Sequence, residues 1–296
     1  MMVNLPGRCQ ERCCCVVLNY NDYETTATFV KNMEDSGVLD CVLIVDNCST
    51  DDSLAQLKKI CSSDVYLVST PKNGGYGAGN NFGIRYAYNE LKCDLVLLSN
   101  PDITITEDTI SKMKQAILED SSAAVVSATQ LNKDGAKIAD TSWNIPSPIE
   151  YAFSDTLISR LCWHGVSQDN ADFCDKLEVE CVPGALIMLR CCMFLSVGGY
   201  DERMFLYGEE TTLGIKLKSK GYTTLLLTNE TYIHQQSTSI NKSIQSTLRK
   251  LKILQQSRLI VLTSYMAASH PVVLCAQVVF AYQRMRARFK RMLTKV

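Results

Sequence analysis

Short apolar runs recur along the first 130 residues, each followed by a polar, turn-forming cluster. They are "CCCVVL" (13–18), "CVLIVD" (41–46), "VYLVS" (65–69), "DLVLLS" (94–99) and "AAVVSA" (123–128). Between them lie segments of helical length at 22–36, 51–61, 79–92 and 107–119, with Asp22, Thr50 and Thr106 as candidate N-caps. Strands of five or six residues separated by helices predict βαβ units, hence an α/β fold with a mostly parallel sheet. From 129 to 177 the rhythm fails, and Trp143, Pro146, Pro148, Trp163 and His164 sit among polar loops. That region reads as a variable cover over a site. Order returns with "EVECVPGALIMLR" (178–190) and the strand-like "YTTLLLT" (222–228).

The 296 residues suit one large domain or two intimate halves, and 46% apolar with 21% charged content is ordinary for a folded protein. The net charge of −1 hides an asymmetry. No Asp or Glu follows Glu230, so the last 66 residues are formally +11 and residues 1–230 are −12. Such a basic tail points to an anionic surface. The 14 cysteines include Cys13-Cys14-Cys15 and Cys191-Cys192, which suit buried strand positions better than a disulfide framework. No CxxC pair appears, so spacing gives a zinc site little support. The apolar run behind Arg8 and Arg12 is too short for a signal peptide, and a reducing cytoplasm is the expected compartment.

In parallel sheets, ligands gather beyond the carboxyl ends of the strands. "NYND", "DNCSTDD", "TPKNGGYGAGNN" and "NPDITI" all fall there, which makes that edge a nucleotide-binding face. Glycines at 74, 75, 77, 79 and 83 let backbone approach a ligand closely, although the G-x-G-x-x-G spacing of a dinucleotide fingerprint is not met. Asp102 ends a strand. It is either a turn former or the single carboxylate that magnesium needs beside a diphosphate. His234 directly follows a strand and reads as structural or as a ligand. Glu209 and Glu210 follow Gly208, where carboxylates suit a helix start and also suit an acid–base role.

Seven stretches in order carry a resemblance: "VVLNYN" (16–21), "IVDNCSTDDS" (44–53), "NGGYGAGNNFGI" (73–84), "LLSNPDI" (97–103), "VPGALIMLR" (182–190), "VGGYDERMFLYGEE" (197–210) and "YIHQQSTS" (232–239). Together they resemble a family 2 glycosyltransferase of GT-A fold, in the branch that includes rhamnosyltransferases and polysaccharide-assembly enzymes. The resemblance implies an inverting transfer from a nucleotide-sugar donor, a dTDP- or UDP-sugar with dTDP-rhamnose among the candidates. The acceptor it implies is a hydroxyl of a glycan or lipid-linked molecule. It matches Asn19 and Asp46 to the base pocket, and Asn73, Gly74, Asn80 and Asn81 to the nucleotide loop. Asp102 matches the second carboxylate of the Asp-x-Asp motif that binds Mg2+ or Mn2+, with Asn100 in the first place, and His234 matches a further ligand of that metal. Glu210 matches the catalytic base and Glu209 its neighbour. Thr212 and Lys216 stand where the family often has Asp and Arg, a departure that bears on acceptor contacts.

The expected organisation is an N-terminal extension (1–12), a GT-A domain (13–240) with a nucleotide half (13–128) and an acceptor half (129–240), and a basic helical tail (241–296). From Leu259 to Gln283 the tail has no charged residue, and six basic residues follow. Attachment to an anionic membrane surface, at the inner face of the plasma membrane, is the favoured reading, with packing on the domain and a true membrane span divided by Pro271 as its alternatives. Nucleic acid is not an expected partner, because the aromatics form no stacking platform. Two rivals remain: a sugar-phosphate nucleotidyltransferase, which would want glycine and basic residues in "NYNDYETTATFV", and a non-catalytic nucleotide-sugar-binding scaffold.

Overall fold

The apolar runs become strands and the segments between them become helices: β1 (Cys13–Asn19), α1 (Tyr23–Glu34), β2 (Cys41–Asp46), α2 (Ser53–Leu57), β3 (Val65–Ser69), α3 (Tyr76–Asn89) and β4 (Leu95–Ser99). There follow β5 (Ile103–Ile105), α4 (Glu107–Glu119), β6 (Ala123–Leu131), α5 (Pro148–Phe153), β7 (Lys176–Val179), β8 (Leu186–Arg190), α6 (Cys191–Ser196), α7 (Glu209–Ser219), β9 (Thr223–His234), α8 (Thr247–Ser264) and α9 (His270–Leu293). The computed structural model describes residues 11–138, 141–154, 174–235 and 246–293. Trp163, His164 and the stretch 236–239 lie outside the described residues.

One sheet runs β3-β2-β1-β4-β8-β6-β9-β5, with β7 also pairing β9. β3, β2, β1 and β4 are mutually parallel. β8 runs antiparallel to both β4 and β6, so β6 and its parallel neighbour β9 point the same way as the first four strands. The sheet is therefore largely parallel in direction, as the βαβ pattern predicts. The strands of the first half are buried on both faces, which is why they read as continuous apolar runs. Phe29 and Val30 of α1, Leu57 of α2, and Ile110 and Met113 of α4 cover one face. Ile84 and Ala87 of α3, Phe194 of α6, and Leu213 and Leu217 of α7 cover the other.

Local details differ from the sequence reading for physical reasons. Thr106 caps α4, accepting from Thr109 N at 3.2 Å. Thr50 does not start its helix: its N–H donates to Asn21 Oδ1 at 2.8 Å, and α2 begins after Asp52. The run 178–190 divides into β7 and β8 around Pro183-Gly184, because proline cannot donate to a sheet ladder. Helix α3 starts at Tyr76, so most of the glycine run is helix rather than loop. A Cβ on Gly79 would meet Leu18 at 2.6 Å, and one on Gly83 would meet Val45 at 2.6 Å. These glycines seat α3 against β1 and β2.

The C-terminal helices pack on the domain. Val261 and Leu262 of α8 and Ala276 and Phe280 of α9 are buried, and α5 completes their cluster. Ser257 Oγ donates to Leu206 O at 2.8 Å, and Tyr265 Oη to Asp201 Oδ2 at 2.8 Å. The packing alternative therefore holds for α8 and for one face of α9. Among the described residues, no helix is long and apolar enough to cross a membrane.

Candidate active site

The carboxyl ends of β1 and β2 hold a closed polar cluster. Asn19 donates through Nδ2 to Asp46 Oδ1 at 2.9 Å and accepts from Thr26 Oγ1 at 2.9 Å. Asp46 Oδ2 accepts from Ser49 N at 3.0 Å. Both side chains are buried, so the pair fixes the "DNCST" turn from beneath. Asn47, which sequence reasoning missed, accepts from Thr70 Oγ1 and donates to Asn73 Oδ1 and to Gly75 O at 3.1–3.2 Å. Its signal was its place directly after a strand end.

Asn73 Oδ1 also accepts from Gly75 N at 3.0 Å, which shapes the short loop before α3. Gly74 packs on Ala78, where a Cβ would come within 2.8 Å. Gly75 has φ +91°, and a Cβ there would stand 2.0 Å from Phe205 O. That close approach lets Tyr76 N donate to Phe205 O at 3.0 Å, tying the glycine loop to the segment that leads to α7. Asn80 and Asn81 are both buried, but they differ in their bonds. Asn80 Nδ2 is buried with no hydrogen-bond partner among the described residues. Asn81 accepts from Tyr200 N and donates to Tyr200 O, both at 2.9 Å, and donates to Glu202 at 3.0 Å. Asn81 thus binds one half of the protein to the other.

Asp102 and His234 come together through the antiparallel β5–β9 pairing, which sets Ile103 opposite His234. Asp102 Oδ1 stands 3.3 Å from His234 Nε2, and both groups are largely buried. His234 Nδ1 is 3.1 Å from Gln130 Nε2, and Gln130 Oε1 accepts from Tyr232 Oη at 2.9 Å. An oxygen and an imidazole nitrogen at this separation are close enough to share one divalent ion, and the Gln130–Tyr232 pair steadies the ring from behind. Asn100 binds Ala185 O through its backbone N–H at 2.8 Å.

Glu209 and Glu210 open α7 after two residues in left-handed backbone, Tyr207 (φ 76°) and Gly208 (φ 88°). The helix-start reading of the pair holds: both sit in the first turn of α7, where Gly184 brings Glu210 beside the glycine loop. Glu209 is 2% exposed, and its Oε1 is buried without a partner among the described residues. Burial, then the charge of Glu210, pushes Glu209 up from 4.5 to about 8. Burial raises Glu210 as well, opposed by hydrogen bonds from backbone N–H groups, Gly184 among them at 3.4 Å. Burial raises both carboxyls, and Glu209 also feels the charge of Glu210, so Glu209 is the one that its surroundings bias toward the protonated form. Thr212 is buried inside the helix, its Oγ1 donating to Glu209 O at 3.0 Å. Lys216 donates to Gly199 O at 2.6 Å and lies over the Tyr265 ring.

The segment from Val182 to Ala185 joins these parts. Gly184 N reaches Glu210, Gly184 O accepts from Tyr76 Oη at 2.6 Å, and Ala185 O accepts from Asn100 N. Glycine loop, Asp102 turn and glutamate pair therefore meet at one short stretch. An open groove lies beside it, lined by Asn144, Ile145, Pro146, Glu180, Lys218 and Tyr265. Glu180 also borders the crevice at Glu210.

Comparison with known proteins agrees with this architecture. Residues 14–191 match the model of the family described as "Glycosyl transferase family 2". The chain is 29% identical over 196 residues to the low-salt glycan biosynthesis hexosyltransferase of Haloferax volcanii, covering 66% of this chain and 58% of that protein. It is 25% identical over 217 residues to the N-acetylglucosaminyl-diphospho-decaprenol L-rhamnosyltransferase of Mycobacterium tuberculosis, covering 70% of each. Among solved structures, the Pyrobaculum calidifontis mannosyltransferase in complex with GDP-Man and Mn2+ superposes with a TM-score of 0.59 at 15% identity, over 93% of this chain and 71% of that one. The fold is the GT-A type.

Proposed function

Because this chain belongs to glycosyl transferase family 2, we propose that it is an inverting glycosyltransferase that moves a sugar from a nucleotide donor to a hydroxyl of a glycan or lipid-linked acceptor. The donor we assign is a dTDP- or UDP-sugar, dTDP-rhamnose included. The setting is cell-surface polysaccharide assembly. The names of the two relatives, a glycan hexosyltransferase and a decaprenol-linked rhamnosyltransferase, support that choice. In this reading residues 13–128 hold the nucleotide and 129–240 receive the acceptor through the groove beside Glu180.

The observation that carries the proposal is the hydrogen-bonded junction of the glycine loop, the Asp102 turn and Glu210 through Gly184 and Ala185. Asn19, Asp46, Asn47, Asn73 and Gly74 shape the nucleotide pocket, Asn80 offers its free amide to it, and Asn81 clamps it to Tyr200. Asp102 and His234 are the residues that hold Mg2+ or Mn2+, which when bound neutralises charge on the leaving diphosphate. The Pyrobaculum calidifontis mannosyltransferase of similar fold was solved in complex with GDP-Man and Mn2+, which supports that assignment. Glu210 accepts the proton of the attacking hydroxyl as the new bond forms at the anomeric carbon. Glu209, protonated and buried, orients the helix start.

The outward face of α9 is assigned to an anionic membrane surface, on the cytoplasmic side. Leu274, Val278, Tyr282, Met285 and Phe289 are 58–63% exposed and recur every three or four residues along α9. Arg284, Arg286 and Arg288 lie among them.

Two measurements test the reading. Glu210→Gln should lower transfer by about 100- to 10,000-fold with donor binding intact, and near-normal turnover would remove Glu210 from the role. Asp102→Asn should weaken Mn2+ binding, measured directly by paramagnetic resonance; unchanged binding would remove Asp102 from the metal site.

A further inference from the structure

Three cysteines from separate segments converge at the edge of the sheet opposite the site. Cys14 is the second residue of β1, Cys41 opens β2, and Cys93 precedes β4. The β1–β2 register sets Cys14 directly beside Cys41. Cys14 lies in the core layer under α3, whereas Cys13 and Cys15 belong to the layer on the other face. The three sulfurs all lie within 4.8 Å of one another, and Cys41 Sγ is 3.9 Å from Cys93 Sγ. All three residues are at most 3% exposed. Among the described residues, no other group of three or more His, Cys, Asp or Glu side chains is placed to share an ion.

We propose that Cys14, Cys41 and Cys93 form a three-thiolate site for a soft closed-shell metal ion, copper(I) or zinc(II). The distances fit. Two sulfurs each about 2.3 Å from a shared ion stand about 3.8 Å apart in tetrahedral geometry and about 4.0 Å apart in trigonal geometry. The donor set fits as well, since thiolates select copper(I) and zinc over magnesium or calcium. Each thiol that binds gives its proton to solvent. The guanidinium of Arg12, held by Leu91 O at 2.9 Å, lies at the same edge and offsets the negative charge that results. Three thiolates in a water-excluded pocket suit three-coordinate copper(I); zinc(II) would bind only by bringing one water in with it as a fourth ligand.

The site is structural. Cys14 precedes Asn19 by five residues of strand, so the cluster lies about 16 Å from the polar end of β1. A bound ion would fasten β1, β2 and the entry to β4 together at their amino ends. Sequence spacing hides this site, because 26 residues or more separate its members and only the sheet register joins them.

The test uses the reduced full chain, titrated in parallel with Zn2+ and with copper(I) supplied from a competing chelator. The expected result is about one ion per chain, with an ultraviolet sulfur-to-metal charge-transfer band, for at least one of the two metals. Copper(I) alone identifies the three-coordinate form; zinc identifies the form with a solvent ligand. Cys14→Ala, Cys41→Ala and Cys93→Ala should each abolish stoichiometric binding. Cys15→Ala, which removes a buried thiol on the other face, should retain it. Where an alanine variant does not fold, X-ray absorption on the metal-loaded wild type must still find sulfur neighbours at about 2.3 Å. The proposal is overturned if neither metal binds stoichiometrically, if sulfur neighbours are absent, or if the triple alanine variant binds as the wild type does.

Discussion

Glu209 and Glu210 are chemically alike and adjacent, yet their surroundings separate them. Glu209 is sealed with an unpartnered oxygen, and its proton persists to about 8. In the unfolded chain the same group loses its proton near its ordinary 4.5. The folded state therefore binds more protons between those values, and stability falls as pH rises through that window. The slope approaches about 1.4 kcal/mol per pH unit. Glu209→Gln should flatten the decline in thermal midpoint between pH 5 and 8, and should melt higher than wild type at pH 8. Parallel pH profiles for the two proteins would show that burial of Glu209 is not the cause. The proposal that one glutamate is the working base comes from the motif. Which of the two keeps its proton was not legible there, because local dielectric depends on packing from α3, α7 and the Tyr200 loop.

At the scale of elements, the glycine run has two jobs that its sequence does not distinguish. Gly79 and Gly83 let α3 lie close on β1 and β2, whereas Gly75 adopts a backbone conformation that side chains disfavour and admits the Phe205 carbonyl. Gly75→Ala is expected to cost about 1–3 kcal/mol in backbone strain and to add a clash with that carbonyl. Gly135 also has positive φ, but a Cβ there meets nothing within 4 Å, so Gly135→Ala reports strain alone. Urea midpoints should place Gly75→Ala clearly below Gly135→Ala, with weaker nucleoside diphosphate binding in Gly75→Ala only. Equal midpoints would mean that the Phe205 contact contributes nothing. The strands, their order along the chain and the polar edge could all be read from the pattern. The division of 178–190 at Pro183-Gly184 needed the sheet, where that short stretch becomes the junction of the site.

Over the whole molecule, the tail is both part of the domain and a candidate docking element. Helix α8 braces the loop before Glu209: Ser257 binds Leu206 O, and Val261 lies under Gly208. Helix α9 buries Phe280 and turns its opposite face outward. Removing α8 should therefore destabilise the catalytic segment, whereas changes on the outer face of α9 should leave the fold intact. Leu274→Ser with Phe289→Ser is expected to weaken binding to vesicles of anionic phospholipid by tenfold or more, each exposed side chain contributing about 1.5–3 kcal/mol if fully buried in lipid. Co-sedimentation would measure this, with turnover on a water-soluble acceptor unchanged. Undiminished vesicle binding would assign α9 to another surface.

The sequence by itself determined the α/β class, the polar edge and the ordered motifs of the family, because these rest on local periodicity and on residues adjacent in the chain. The tertiary structure decided what depends on distant segments meeting. It joined Asp102 to His234 through the β5–β9 register, tied Asn81 to Tyr200, buried two neighbouring glutamates in different surroundings and gathered three thiols from three strand ends. The reason is physical. Continuous apolar runs and helical periodicity encode which residues enter the core, but hydrogen-bond geometry, local dielectric and metal-ligand distances exist only after the layers have packed.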